Sequence, residues 1–333
     1  MDTDYRFERR TFLMATLAAI VGADNIAEAQ TEVTRPVVSE ASCPLEVIAP
    51  VAADGYRGQA VLRKPPGSGS FPVFIILHGG ITTVPLSRLQ SSARDLANPS
   101  RFLAAGYVIV APTYRSRDVD LQSPVSLEDA LAAVNYVRKL PYVDGESIVV
   151  YGCSGGGDLA LEVAARTRIS VVVAEEPASM VMSGVFNNST PKKGERYTPE
   201  DSSAIMENPK QYYTPEFQKI LRAKISRIEC PILIVQGDVD RREMNVNRFN
   251  ADVLIPELRA AKKTLEVQTY PEQAHCFCAA SGLPRPSGLT AAASWPVAAL
   301  KASGDIDSFC RRYLKVKPRA IDSALVTRAA ILQ

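Results

Sequence analysis

The chain has 333 residues, of which 46% are hydrophobic and 22% charged, enough for a full globular core in one large α/β domain or two small ones. Lys and Arg number 38 against 36 Asp and Glu, a formal net charge of +2. That balance gives no electrostatic footprint for nucleic acid or an anionic membrane surface.

The first 29 residues read as an export signal. Arg9 and Arg10 precede an apolar stretch from Phe12 to Val21, and "AEA" at 27–29 offers a small-residue cleavage site before Gln30. The paired arginines followed by Thr-Phe-Leu resemble a twin-arginine signal, so the expected destination is the periplasm or the medium. The apolar stretch is short for a membrane span, and no later run is long enough, so no stable span is expected in the mature chain from 30 to 333.

"CPLEVIAP" and "YRGQAVLRKP" read as strands around the turn Ala53-Asp54-Gly55. "VFIILHGG" at 73–80 is a continuous apolar run, as expected of a strand buried on both faces. A helix ending near Gly106, the strand "YVIVAPTYR" and a helix over 126–140 with Ser126 as N-cap follow. The strand "SIVVYG", the helix "DLALEVAART" and the strand "ISVVVAEEP" come next. Residues 178–229 read as an insertion with short helices. "CPILIVQGDVD" resumes the strands, "NRFNADVLIPELRAAKK" is a helix, "TLEVQTYPEQAH" a strand, and "DIDSFCRRYLKV" a final amphipathic helix. Strands alternating with helices predict an α/β fold, a mostly parallel sheet covered on both faces. Ligands then lie at the carboxyl ends of the strands.

The stretch "IVVYGCSGGGDLALEVAARTRISVVVAEE" fits two motifs. From Gly155 it scans as G-x-G-x-x-A, a dinucleotide fingerprint, with Glu175 and Glu176 about where a ribose-binding acid belongs. From Gly152 it scans as G-x-S-x-G, a nucleophile elbow with Ser154 at its tip. Register separates the two. The glycine directly after the strand is Gly152, and counting from it the second required glycine falls on Ser154, whose side chain would obstruct a pyrophosphate.

The only histidines, His78 and His275, fall where an elbow needs them. His78 closes a strand and leads into Gly79-Gly80, the place for a loop donating to an oxyanion hole. His275 follows the last strand and suits a general base. Asp240 follows a buried strand between Ser154 and His275 and suits the acid that orients the base, with Asp238 as its rival.

These segments resemble the α/β-hydrolase superfamily. "LHGG", "VVYGCSGGGDLAL", "CPILIVQGDVD" and "YPEQAHCF" are similar to motifs of its prolyl-oligopeptidase and dienelactone-hydrolase-like branches. The resemblance implies a serine hydrolase in which Ser154 attacks, His275 shuttles the proton and Asp240, three residues past Gly237, orients it. Backbone N–H groups of Gly155 and of Gly80 or Ile81 would hold the oxyanion. No metal or organic cofactor is required. The family's peptidases carry a large N-terminal propeller for which this chain has no room, so the expected reaction is hydrolysis of a small-molecule or polymeric ester. A small exopeptidase or amidase is the alternative, and a non-catalytic binding protein on the same scaffold the alternative from another class.

Other residues carry weaker signals. Glu175 and Glu176 either contact a cationic substrate group or bind loop backbone. Trp295 and the prolines at 284 and 286 either line the pocket rim or cover the core. Asp158 suits the first turn of a helix. Cys153 reads as packing; Cys276, Cys278 and Cys310 flank one C-terminal segment that suits a bridge, whose connectivity the sequence leaves open.

Overall fold

The computed structural model describes residues 43–80, 83–95, 97–116, 125–188, 199–238, 246–278 and 295–319. Eight strands form one sheet in the order β1-β2-β4-β3-β5-β6-β7-β8. They are β1 (Leu45–Ile48), β2 (Ala60–Arg63), β3 (Phe71–Leu77), β4 (Val108–Pro112), β5 (Val143–Cys153), β6 (Val171–Glu175), β7 (Ile232–Gly237) and β8 (Leu265–Tyr270). β1–β2 and β2–β4 pair antiparallel, and every other pair is parallel.

Period-two alternation sends neighbouring side chains of each strand to opposite faces. Val73, Ile75, Val150, Val172 and Ile234 enter one core, and Phe74, Val149, Val173, Leu233 and Val235 enter the other. The first core is roofed by α3 (Val125–Val137), α4 (Gly155–Ala164), α9 (Pro215–Ser226) and α10, which runs through Val246–Phe249, Asn250–Leu254 and Ile255–Ala260. The second is roofed by α2 (Ala97–Ala105) and α11 (Trp295–Tyr313), while α1 (Leu86–Asp95) precedes α2 in the β3–β4 connection. Short helices α5 (Ser179–Met182), α6 (Val185–Asn188), α7 (Pro199–Glu207) and α8 (Pro209–Tyr212) lie between β6 and α9.

Several boundaries differ from the sequence expectation. α3 begins at Val125, so Ser126 lies inside its first turn and not at the cap. The α10 segment has a π-helical middle, Asn250–Leu254, just before Pro256. Proline has no N–H for the α-helical bond, and a wider turn relieves the lost register. α11 starts at Trp295, ten residues before the expected helix. Pro296 at its start suits a first helical turn, and small Ala298, Ala299 and Ala302 pack into the second core through the stretch that holds Gly304.

Phe74 is the aromatic centre of that second core. Its ring stacks on Phe102 at 4.1 Å, meets Tyr107 edge-on at 5.8 Å and lies 5.7 Å from Tyr151. Phe74→Ala is therefore expected to cost about 3–5 kcal/mol of stability, measured by urea denaturation.

Candidate active site

The carboxyl end of β5 carries Ser154 straight into α4. Its backbone stands at φ 54° and ψ −119°, left-handed for a side-chain-bearing residue, at a typical cost of about 1–3 kcal/mol. Three hydrogen bonds fix the turn. Ser154 N–H donates to Glu175 O at 2.9 Å, while Asp158 N–H and Ala178 N–H both donate to Ser154 O at 3.0 Å. The flanking glycines are set by contact. A Cβ on Gly152 would collide with the carbonyl of Gly156, and one on Gly156 with the carbonyls of Leu77 and His78. One on Gly155 would strike the carbonyl of Gly80, so the β3 loop lies directly against the first turn of α4. That juxtaposition is what an oxyanion hole made from both segments requires. Ile81 lies outside the described residues.

The two histidines have different surroundings. His78 stacks on Tyr114 with ring centroids 3.9 Å apart, and the Tyr114 hydroxyl donates to the His78 carbonyl. Its Nδ1 lies 3.0 Å from Gly79 O. Burial pulls its pKa down to about 4, so it is neutral at neutral pH and props the β3 loop. His275 lies five residues beyond β8, half-buried, with Nδ1 3.1 Å from Glu176 Oε2. Among the described residues neither ring nitrogen of His275 has a well-angled hydrogen-bond partner. Contacts of this kind commonly tighten only when substrate binds.

Glu175 and Glu176 are 0% and 1% exposed, which removes them from any open pocket wall. Glu176 accepts Gly237 N–H and Asn247 Nδ2, both at 2.9 Å, and Cys276 N–H. Glu175 accepts the Tyr151 hydroxyl and, at 2.7 Å, Cys278 N–H. Two consecutive carboxylates at the end of β6 thus suspend the backbone on either side of Phe277, whose ring is fully buried beside Tyr270. Glu176 (φ 42°) and Cys276 (φ 58°) are left-handed like Ser154, so three of the five such non-glycine residues among those described meet at this point. Burial and the neighbouring Glu176 push the Glu175 carboxyl up to about 7.

The cysteines overturn one expectation. Cys153, read as packing, is bonded to Cys276, with Cα atoms 5.9 Å apart, while Cys278 and Cys310 are buried thiols outside any disulfide. Burial, with Glu175 beside Cys278 and Asp307 near Cys310, pushes both thiols well up, which makes them inert. No bridge to Cys310 forms: Cys276 is taken by Cys153, and Cys278 and Cys310 lie unbridged in the second core.

Asp240 lies outside the described residues, as do Pro284, Pro286 and the side chain of Trp295. Asp238, its rival, is exposed and accepts Glu272 N–H at 2.6 Å, which fixes the turn after β8. Asp158 is fully buried and accepts Met182 N–H at 2.9 Å, tying α4 to the end of α5. Asn247 and the Cys153–Cys276 pair escaped the sequence reading. The pair had a signal: one cysteine adjoins Ser154 and the other adjoins His275.

A strained serine cradled by glycines, with a histidine loop bonded to the residue before it, fits the serine hydrolases of the α/β-hydrolase fold. The prolyl oligopeptidase family matches residues 120–302, more than half of the chain, and the protein belongs to that family. It is 25% identical over 244 residues to the uncharacterized peptidase YtmA of Bacillus subtilis, across 68% of this chain and 84% of that protein. Among solved structures it is similar to Pyrococcus horikoshii acylaminoacyl peptidase, with TM-score 0.60 and 15% identity over 86% of this chain and 44% of that one. It is also similar to a Pyrobaculum calidifontis esterase, with TM-score 0.56 and 18% identity over 93% and 94% of the two chains. The chain thus spans less than half of the acylaminoacyl peptidase.

Two outcomes follow from this geometry. Gly156→Ala should abolish soluble, active protein. Gly157→Ala, whose new Cβ would meet backbone only at 3.0–3.2 Å, should fold with a modest loss of melting temperature. Glu175 is protonated in the fold between its ordinary 4.5 and about 7, where the unfolded chain has released the proton. Its contribution therefore lowers stability as pH rises through that window. The melting temperature of Glu175→Gln relative to the parent should climb from pH 5 to pH 8 in calorimetric scans.

Proposed function

We propose that this serine hydrolase is an exported carboxylic ester hydrolase working through an acyl-enzyme. His275 Nε2 takes the proton of Ser154 Oγ as the oxygen attacks the ester carbonyl carbon. The N–H groups of Gly155 and of the Gly80–Ile81 loop stabilise the oxyanion, and the alcohol leaves with the proton from His275. Water activated by the same imidazole then releases the acid and regenerates Ser154.

The observation that carries the ester reading is the engagement of Glu175 and Glu176. They were the acids suited to gripping the cationic end of a peptide, and both are spent on protein backbone and side chains. Similarity over nearly the full length to an esterase fold agrees with a compact site. Export is supported by the arginine pair and apolar run of the first 29 residues and by a disulfide, which persists in oxidising compartments.

Two acids compete to orient His275. Glu176 has the contact, 3.1 Å from Nδ1, and Asp240 has the spacing after β7. We assign the role to Glu176. Ester turnover of p-nitrophenyl acetate should vanish in Ser154→Ala, together with fluorophosphonate labelling. Glu176→Gln should lower kcat by about ten-thousandfold and Asp240→Asn by less than about tenfold. The reverse ranking returns the role to Asp240. Turnover of aminoacyl anilides in preference to esters would replace the ester reading with an exopeptidase.

A further inference from the structure

We propose that Cys153 and Cys276 are positioning residues. Their disulfide is the strut that holds His275 within reach of Ser154, and exchange with an external dithiol turns the hydrolase down. This rests on Ser154 and His275 being nucleophile and base.

The sheet order places β6 and β7 between the strand that carries Ser154 and the one that leads to His275. Three strand spacings amount to roughly 14 Å, and the loop after Tyr270 must recross that distance. The disulfide joins the residue before Ser154 to the residue after His275, with Cα atoms 5.9 Å apart, so it limits how far the two reacting residues can separate. The carboxylates of Glu175 and Glu176 tie the same loop to β6, and through Gly237 to the end of β7. The disulfide carries the tie on to β5 itself. One end of the strut, Cys276 at φ 58°, and the neighbour of the other, Ser154 at φ 54°, have backbone that needs outside restraint.

The bond is also reachable from one side. Cys153 is 3% exposed and Cys276 is half-buried beside His275, so attack falls on the Cys276 sulfur. A dithiol thiolate bonds to Cys276 Sγ, the S–S bond breaks and Cys153 leaves as thiolate to take up a proton. The second dithiol sulfur then displaces Cys276 as a thiol and closes the reagent into its own disulfide. Two electrons pass from the reagent to the protein. The other four cysteines are buried and form no disulfide, so this is the bond that such treatment breaks.

The test compares folded enzyme before and after dithiothreitol, with two additional thiols verified by mass after alkylation of a denatured aliquot. Reduction should lower kcat for p-nitrophenyl acetate at least tenfold with KM within twofold. It should slow fluorophosphonate labelling of Ser154 to match and leave the far-ultraviolet circular dichroism unchanged. Reoxidation should restore both rates. Cys153→Ala/Cys276→Ala should behave as the reduced enzyme does, and Cys230→Ala, at the opposite end of β7, should keep the parent's response. Equal labelling and equal kcat in the two redox states overturn the strut while the ester reading stands. If esters are not turned over in either state but labelling still falls on reduction, the ester reading fails and the strut stands. Should the double variant not fold, the reduced parent decides alone.

Discussion

Two adjacent carboxylates at the end of one buried strand hold this site together. Glu175 and Glu176 are removed from water and accept backbone N–H groups from a loop about a hundred residues downstream. Burying two like charges side by side is expensive, and the structure meets that cost with hydrogen bonds and by raising the Glu175 carboxyl toward neutrality. What the arrangement gains is direction. Hydrogen bonds to fixed carboxylates hold the histidine loop at a set height above the sheet, which apolar packing of Phe277 alone would leave free to slide.

The strained serine follows from the same geometry. Ser154 N–H donates to the carbonyl of Glu175, so β6 fixes the elbow through its backbone and the histidine loop through its side chains. Three left-handed residues on three chain segments meet at one place because each is braced by the others. An isolated turn with such angles would relax.

Most of this was legible in the residues. Alternating strand and helix patterns predict the parallel sheet, and the placement of two histidines among 333 residues selects the elbow over a nucleotide cradle. Ser154 and Glu175–Glu176 are visible as strand-end residues because continuous apolar runs stop there. The partners of the two glutamates were not legible, because hydrogen bonds to backbone N–H groups leave no trace in the identity of the donor residue. The disulfide was missed for a different reason. Along the chain Cys276, Cys278 and Cys310 are near one another, whereas the sheet order brings Cys276 to Cys153 across 123 residues. The early start of α11 escaped because alanines and a glycine carry little periodic signal.

That separation has a bearing on how the molecule comes into being. Cys153 lies at the end of the fifth strand and Cys276 beyond the eighth, so their bond closes a loop that contains three further strands of the sheet. A chain ending before residue 275 would carry the elbow residues without His275 or the partner sulfur. Linkage of the two cysteines is thus open only to a chain that extends past its eighth strand.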